Sequence, residues 1–250
     1  MFPKLLILAL CVLLTACGSK HNNTEQHSSD DYKKYTTDVP FAGFWLSENY
    51  YNTLMKTKSP RKAQGDCELF EISSETTVRT TEILNFHEGI QVTVVKNKGQ
   101  FELWNTDDSL FVEKQGDIKI LSRNKIKIGS VIYQKVHVIV NENDIYLLEE
   151  LLFNGSYMSD KGENIKMSRD GKVSGLSGFR YYLPRLDYWD AGLNIDLVEL
   201  GSSKENMTEY GFRFNSDTLE LYQINCLEKD AEGECVEIGY GTLYRKLWKR

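Results

Sequence analysis

The feature that most constrains the fold is a two-residue alternation of apolar and polar side chains beyond the first 40 residues. Ile90, Val92 and Val94 occupy every second position, the segment KNKG follows, and Phe101 and Leu103 resume the pattern. Side chains two residues apart lie on the same face of a strand, and a Gly-containing polar segment favours a turn. The pattern therefore predicts a β-hairpin.

The same alternation recurs along the chain, in residues 118–128 around the turn segment SRNK, in residues 193–197 and in residues 219–221. Short strands separated by turn residues every ten or so positions are typical of antiparallel barrels and sandwiches. The sequence predicts a mainly β fold. One short helix is expected after the first strand, with Ser47 as its N-cap, Leu54 and Met55 on its apolar face, and Pro60 ending it.

The N-terminus carries Lys4 and then an apolar run, residues 5–14, which is too short to span a bilayer as a helix. The run ends in LTAC, and this segment resembles the signal of bacterial lipoproteins. The resemblance implies that residues 1–16 are removed and that Cys17 receives a diacylglyceryl group and a further acyl chain. The alternative is an ordinary secretory signal that contains Cys17.

Residues 17–40 have almost no aliphatic side chains, so they cannot bury enough apolar surface to offset the entropy of ordering. We interpret them as a lipidated tether. Gly18 follows Cys17. An aspartate at this position would resemble the signal that retains lipoproteins in the inner membrane, and it is absent here. The expected location is the bacterial cell envelope, at the outer membrane facing the periplasm, with exposure on the cell surface as an alternative.

An aromatic segment, FAGFW at residues 41–45, follows the tether. Its Gly-x-Trp element resembles the one that opens lipocalin-like barrels, and the resemblance implies an antiparallel barrel. Three segments recur about 110 residues later, which favours two tandem repeats packed together, residues 41–136 and 153–250, joined by residues 137–152. One larger barrel is the alternative. The corresponding segments are 41–45 and 153–157, 104–107 and 214–217, and 129–136 and 241–247.

Of the five cysteines, Cys11 lies in the signal and Cys17 is the expected lipid site. Cys226 and Cys235 flank a charged, turn-forming segment, and the periplasm is oxidising, so they are expected to form a disulfide. Cys67 is then expected to be a buried thiol.

The net charge of −6 argues against a nucleic-acid partner. No nucleophile elbow, zinc motif, phosphate-binding loop or dinucleotide fingerprint is present, so no cofactor, metal or catalytic residue is predicted. His87 and His137 are expected to be structural. The paired Glu149 and Glu150 are expected on a solvated face, and the acidic loop 159–172 is expected to be a plain turn.

The segment FRYYLPRLDYWD, residues 179–190, concentrates the residue types that dominate recognition sites. The candidate binding residues are Arg180, Tyr181, Tyr182, Arg185, Tyr188 and Trp189. The competing interpretation, which we favour, is that these aromatic side chains fill a barrel.

Three functions are consistent with the sequence. The first is a non-catalytic, lipid-anchored binding barrel for a small apolar or amphipathic ligand, which predicts an aromatic-lined cavity. The second is a protein-interaction module for envelope assembly, enzyme inhibition or toxin immunity, which predicts a filled barrel and an exposed apolar patch. A hydrolase with an unrecognised site is a remote third.

Overall fold

The computed structural model describes residues 39–65, 69–72, 79–84, 88–107, 110–141, 144–188 and 193–250. Within them the chain forms two large antiparallel sheets, the first a closed barrel and the second a curled sheet, with few helical segments. The predicted mainly β, lipocalin-like fold with two packed barrel-like units is confirmed. The domain boundaries themselves stay predictions, and Cys17, Cys67 and His87 lie outside the described residues.

Eight strands in chain order form the first barrel, and β8 pairs with β1 to close it. They are β1 (Gly43–Ser47), β2 (Leu69–Ile72), β3 (Arg79–Leu84), β4 (Glu88–Asn97), β5 (Gln100–Asp107), β6 (Leu110–Ser122), β7 (Lys125–Ile128) and β8 (Val131–Val136). A two-stranded sheet follows, made of β9 (Ile139–Asn141) and β10 (Asp144–Tyr146).

The second large sheet also has eight strands, in the order β13-β12-β11-β18-β17-β16-β15-β14. They are β11 (Gly155–Ser159), β12 (Asn164–Met167), β13 (Val173–Ser174), β14 (Tyr181–Pro184), β15 (Asp196–Ser203), β16 (Asn206–Asn215), β17 (Thr218–Lys229) and β18 (Cys235–Lys249). Its first strand pairs with its last, as in the barrel, while its edge strands β13 and β14 meet at one isolated bridge.

The two hairpins expected from the alternation are present. In the β4–β5 turn, Lys98 and Gly99 both have positive φ, 48° and 87°, which suits the turn types that join twisted strands tightly. Strands β6 and β7 are joined at the predicted SRNK segment. Local turn chemistry and period-two patterning therefore account for the regular part of the barrel.

Helix α1 (Glu48–Thr57) begins where expected, because the Ser47 hydroxyl accepts a hydrogen bond from the Tyr50 backbone N–H. Its end differs from the prediction. Lys58 adopts a left-handed conformation and caps the helix, and Pro60 instead opens a second short helix, α2 (Pro60–Ala63). Proline fits a first helical turn, where its missing N–H costs nothing, so it marks a start here and not a stop.

The packing and hydrogen bonding of the aromatic residue that ends the FAGFW segment recur at residues 153–157 in the second sheet. Trp45 is fully buried, its Nε1–H donates to the Phe41 carbonyl at 2.8 Å, and Lys135 lies over its ring. Tyr157 is likewise buried, its hydroxyl donates to the Phe153 carbonyl at 2.6 Å, and Lys249 lies over its ring. Each lysine is the direct cross-strand partner of its aromatic residue.

The other two recurring segments do not occupy matching places. Residues 104–107 end β5, the fifth strand of the barrel, whereas 214–217 span the turn after β16, the sixth strand of its sheet. Gly129 lies in the β7–β8 turn, but Gly241 lies inside β18 against the Gln223 carbonyl. These similarities reflect common turn and bulge chemistry, and only the first recurrence corresponds in structure.

Two cores stabilise the fold. The first core lies inside the first barrel, where its buried apolar side chains pack together, with Trp45, Phe70 and Tyr133 the largest among the described residues. The second core combines the inner face of the curled sheet with Tyr50 and Leu54 of α1, so the two halves share buried surface. This shared core joins the two sheets through the helix.

The connecting segment 137–152 is part of the second core. Leu147, Leu148 and Leu152 are buried, and Glu149–Phe153 form a π-helical turn. The expectation that Glu149 and Glu150 are solvated is wrong for Glu149, which is 1% exposed, because the turn directs it inward. Glu150 contacts Arg169 at 3.5 Å.

A buried carboxylate also links the two halves. Asp196 of β15 accepts a hydrogen bond from the Arg61 backbone N–H at 3.0 Å, and its side chain is hydrogen-bonded to Ser59. Burial raises the pKa of Asp196 above its usual value, and these hydrogen bonds only partly oppose that effect. The ionised carboxylate is therefore less favourable in the folded protein than in the unfolded chain.

This pKa shift predicts a pH dependence. Because the folded protein holds the Asp196 proton more tightly, its contribution to stability is complete below the unfolded pKa and falls as the pH rises through the folded pKa. Asp196→Asn keeps an acceptor without the charge, and we expect unfolding in urea at pH 7 to be no easier than for the wild type. Asp196→Leu should cost about 1–3 kcal/mol, since buried donors lose their acceptor. A clear destabilisation by Asp196→Asn at pH 7 would contradict this account.

Candidate functional site

The curled sheet has one weak join, which we call the seam: the place where edge strands β13 and β14 meet. A single antiparallel bridge, Lys172 with Tyr181, connects them. Backbone hydrogen bonds from Val173 to Arg180 and from Tyr182 to Gly171, both 2.8 Å, flank it. The seam falls at the start of the aromatic segment singled out in the sequence, and two concave sites adjoin it.

The first is a cavity of about 100 Å³, which we call the aromatic cavity. Its lining residues include Tyr146, Tyr181, Tyr182, Leu183 and Met207, together with two charged residues, Glu199 and Lys204. A cavity of this volume can hold a few methylene groups or one aromatic ring.

Glycine at position 171 makes this wall possible. Its φ is +72°, and a Cβ there would lie 2.7 Å from the Tyr146 ring and 3.0 Å from the Tyr182 carbonyl. Any larger residue would displace the Tyr146 ring from the cavity or strain the turn. The close packing of Tyr146 against the backbone therefore depends on this glycine.

The second is a groove of about 410 Å³ on the outer face of the sheet, which we call the cationic groove. Neighbouring strands provide its walls, and all three charged side chains that line it are cations. The lining residues are Lys166, Ser168, Lys172, Val173, Ser174, Arg180 and Tyr181. Tyr181 borders both the groove and the aromatic cavity.

The charges in the groove are only partly neutralised. Asp170 bonds to Lys172 at 2.6 Å, and this interaction, with one from Ser168, lowers the pKa of Asp170. Within the described part of the chain, Lys166 and Arg180 form no ion pair. The groove is thus a local excess of positive charge on a protein whose net charge is −6.

Two of the predicted binding residues belong to the core. Tyr182 is 1% exposed and its hydroxyl donates to the Ser168 carbonyl at 2.7 Å, while Tyr188 is 6% exposed and its hydroxyl accepts from the Leu197 N–H at 2.8 Å. Burial raises the pKa of both hydroxyls far above the usual value. Neither ring is an exposed contact, which agrees with the interpretation favoured from the sequence, that these aromatic side chains fill the core.

Only some of the remaining candidate binding residues lie at the seam. Arg180 is exposed and Tyr181 half-buried, and both line the groove. Arg185 lies apart from the two sites and binds Glu209 at 2.8 Å. Trp189 lies outside the described residues. The structure therefore brings together Arg180 and Tyr181 with Tyr182 behind them, and not the whole segment.

Sequence reasoning missed two buried carboxylates on the outer faces of the sheets. Glu102 accepts hydrogen bonds from Lys114 and Trp104, and burial, which alone would raise its pKa, is outweighed so that the pKa is lowered. Glu220 is held in the same way by Arg213 and Tyr222. The matching tetrapeptides FELW and LELY carried the signal for this pair. Both clusters serve the sheets, since cross-strand neighbours satisfy the charge.

A long hairpin projects from the second sheet, and we call it the ribbon: residues 223–229 of β17 with 235–241 of β18. Among the described residues, these two segments pair only with each other, because β16 pairs with β17 no further than Tyr222 and β11 pairs with the distant end of β18. Cys226 and Cys235 form a disulfide across it, with Cα atoms 5.7 Å apart. Leu227 and Val236 are more than half exposed.

Neither the aromatic cavity nor the cationic groove is lined by histidine or cysteine, and His137 is exposed between β8 and β9. The expectation that residues 159–172 form one plain turn is wrong, because strand β12 separates two turns, in which Ser159 bonds to Glu163 and Lys172 to Asp170. Among the described residues no group of three acidic, histidine or cysteine side chains is placed to hold a metal.

The fold and the seam define a class, an antiparallel β-barrel protein whose architecture is compatible with ligand binding. Comparison of the chain with protein-family models, with curated proteins and with solved structures gave no match. In the described part of the chain no helix is long and apolar enough to cross a membrane. Functional inference therefore begins from the two sites at the seam.

Proposed function

We propose that this protein is a non-catalytic lipoprotein of the bacterial cell envelope that binds a small amphipathic ligand at the seam of its second sheet. One observation carries the proposal: Tyr181 borders both a cavity lined mainly by aromatic and aliphatic residues and an open groove lined by three cations. A ligand with an apolar part and a polar part matches this pair of surfaces.

The cavity is tested by filling it. Leu183 is half-buried and lines the cavity, so Leu183→Trp should occupy much of the 100 Å³ space. The matched control is Ile120→Trp on the first barrel, where the side chain is 51% exposed. Isothermal titration with decyl maltoside, on full-length protein with Cys17→Ser so that no acyl chain of its own competes, should show binding to the control and about tenfold weaker binding to Leu183→Trp. Equal affinities would place the ligand elsewhere.

Lipid anchoring at Cys17 is the second part of the proposal, supported by the LTAC segment after a short apolar run. One acyl chain anchors a protein only marginally, whereas several make release negligible. We expect wild-type protein to incorporate labelled palmitate and to sediment with membranes, and Cys17→Ser to do neither. A variant that still sediments with membranes, beside a wild type without label, would reject the anchor.

A second candidate function, protein interaction, is favoured by the ribbon. Both of its long edges lack a strand partner within the described residues, and an unpaired edge is a template for adding a strand from another protein. The charged residues near its tip are mostly acidic, which suits a basic extended segment of a partner. The acidic residues are Glu228, Asp230, Glu232, Glu234 and Glu237.

This second function is tested with a photocrosslinking residue at Val236 and, as control, at Ile120, both more than half exposed. A protein partner bound by the ribbon should crosslink at Val236 alone, and the product should disappear when the tip carboxylates are changed to amides. Crosslinking at both positions, or insensitivity to those changes, would count against the ribbon as a docking site.

The disulfide is expected to stabilise the folded protein whether or not the ribbon binds a partner. Replacing Cys226 and Cys235 together with serine should lower the unfolding free energy by roughly 2–3 kcal/mol, the entropy of closing a loop of about ten residues. Urea denaturation of both proteins measures the difference. Unchanged stability would mean that the ribbon unfolds independently of the sheet.

A further inference from the structure

We propose that the cationic groove binds an anionic group of the ligand, so that the seam selects anionic amphiphiles over neutral ones. This inference rests on the proposed ligand-binding function and specifies its chemistry. The group is a phosphate, sulfate or carboxylate, held at Arg180 and Lys166, while the apolar part of the same molecule enters the aromatic cavity past Tyr181.

The arrangement of the strands concentrates these cations on one face. Lys166 lies directly opposite Ser174 across the β12–β13 pair, and Lys172 lies opposite Tyr181 across the seam. Their sequence neighbours Ile165, Met167, Val173 and Tyr182 point inward and are buried. Alternation therefore places Lys166 and Lys172 on the outer face. Arg180, which immediately precedes β14 and is exposed, lines the same groove.

The charge balance distinguishes this groove from an ordinary solvated face of a sheet. On the neighbouring strands of the same sheet, Arg213 and Lys246 both contact the carboxylate of Glu220. No carboxylate lines the groove, and the nearby Asp170 is bonded to Lys172. Two cations that remain without a carboxylate partner in a concave site can be neutralised by an anionic ligand.

Arg180 and Lys166 are expected to contribute differently to the affinity for an anionic group. The guanidinium of Arg180 presents a planar set of donors that matches two oxygens of a phosphate or carboxylate, whereas the Lys166 ammonium acts as a point charge. The Ser174 hydroxyl adds a donor on the same face. Arg180→Gln is therefore expected to weaken anion binding more than Lys166→Gln.

The test compares two probes with the same tail, decyl phosphate and decyl maltoside, each below its critical micelle concentration. Full-length protein with Cys17→Ser is titrated by calorimetry, as are its Arg180→Gln and Lys166→Gln variants. Lys119→Gln is the matched control, an exposed lysine on β6 of the first barrel. We expect wild type to bind decyl phosphate about tenfold more tightly than decyl maltoside. Arg180→Gln should remove most of that preference, because it should weaken the binding of decyl phosphate much more than that of decyl maltoside.

Each outcome has a distinct meaning. Equal binding of the two probes by the wild type, or equal weakening of both by Arg180→Gln, would overturn the anionic selectivity and leave ligand binding intact. Binding of inorganic phosphate that depends on Arg180, without binding of either decyl probe, would support the anion site and refute the amphipathic ligand. Absence of binding by every probe would refute both. Loss of the preference in Lys119→Gln would assign it to overall charge and overturn the proposal.

Discussion

Replacing Tyr182 with alanine is expected to lower the free energy of unfolding by roughly 3–5 kcal/mol. The ring is 1% exposed and packs 5.6 Å from the ring of Phe153, centroid to centroid, and its hydroxyl is bonded to the Ser168 carbonyl. Truncation leaves a cavity in the second core and removes one of the two hydrogen bonds that the Ser168 carbonyl accepts, the other coming from the Gly171 N–H. Tyr182→Phe, which removes only the hydrogen bond, should cost about 1 kcal/mol.

The adjacent Tyr181 provides the matched control. It is half-buried and lines the two sites at the seam, so Tyr181→Ala should change stability by less than about 1 kcal/mol yet weaken ligand binding. Urea denaturation followed by circular dichroism measures both variants. If Tyr181→Ala unfolds as readily as Tyr182→Ala, the division between a core ring and a binding ring is wrong.

The second large effect is expected at Trp45, where alanine should also cost roughly 3–5 kcal/mol. This side chain is the largest in the core of the first barrel, it is fully buried, and its Nε1–H satisfies the Phe41 carbonyl. Lys135 covers the ring at 5.4 Å. Removing the indole would therefore leave a cavity in the core of the first barrel and deprive the Phe41 carbonyl of its donor.

The control at this position is in the second sheet. Tyr157→Phe keeps the equivalent ring and loses only the hydrogen bond to Phe153, so about 1 kcal/mol is expected. Thermal and urea unfolding of both variants compare the two sheets. If Trp45→Ala lowers the free energy of unfolding by no more than Tyr157→Phe does, the indole is not a core element of the barrel.

Local patterns account for what could be predicted of the fold. Alternation placed strands β4 to β7, the KNKG segment set a turn with two positive φ values, and Ser47 marked the start of α1. Each of these signals acts within a few residues, so the sequence carries it directly. The stop at Pro60 was misjudged because proline favours a first helical turn as strongly as it disfavours a later one.

The candidate site was only partly predictable. Composition drew attention to residues 179–190, but adjacent residues of a strand face opposite sides, so Tyr181 and Tyr182 cannot both be surface contacts. The inward turn of Glu149 and the meeting of β13 with β14 depend on how the sheet curls. Those are long-range consequences of packing, and no local pattern encodes them.

The cationic groove shows the same limit. Lys166, Lys172 and Arg180 lie within fifteen residues of each other in the sequence, yet nothing local distinguishes them from other lysines and arginines on strands. Their functional significance depends on the seam, because the packing there places them beside the aromatic cavity. Charge is read from the sequence, whereas its concentration on one concave face is read from the structure.

The central claim, that the seam holds a small amphipathic ligand, is tested most directly by native mass spectrometry of the full-length protein purified from cell envelopes. We predict a bound small molecule in the wild type, retained in the Ile120→Trp control and lost from Tyr181→Ala and Leu183→Trp. A wild type without any bound molecule, or equal occupancy in all four proteins, would contradict the claim.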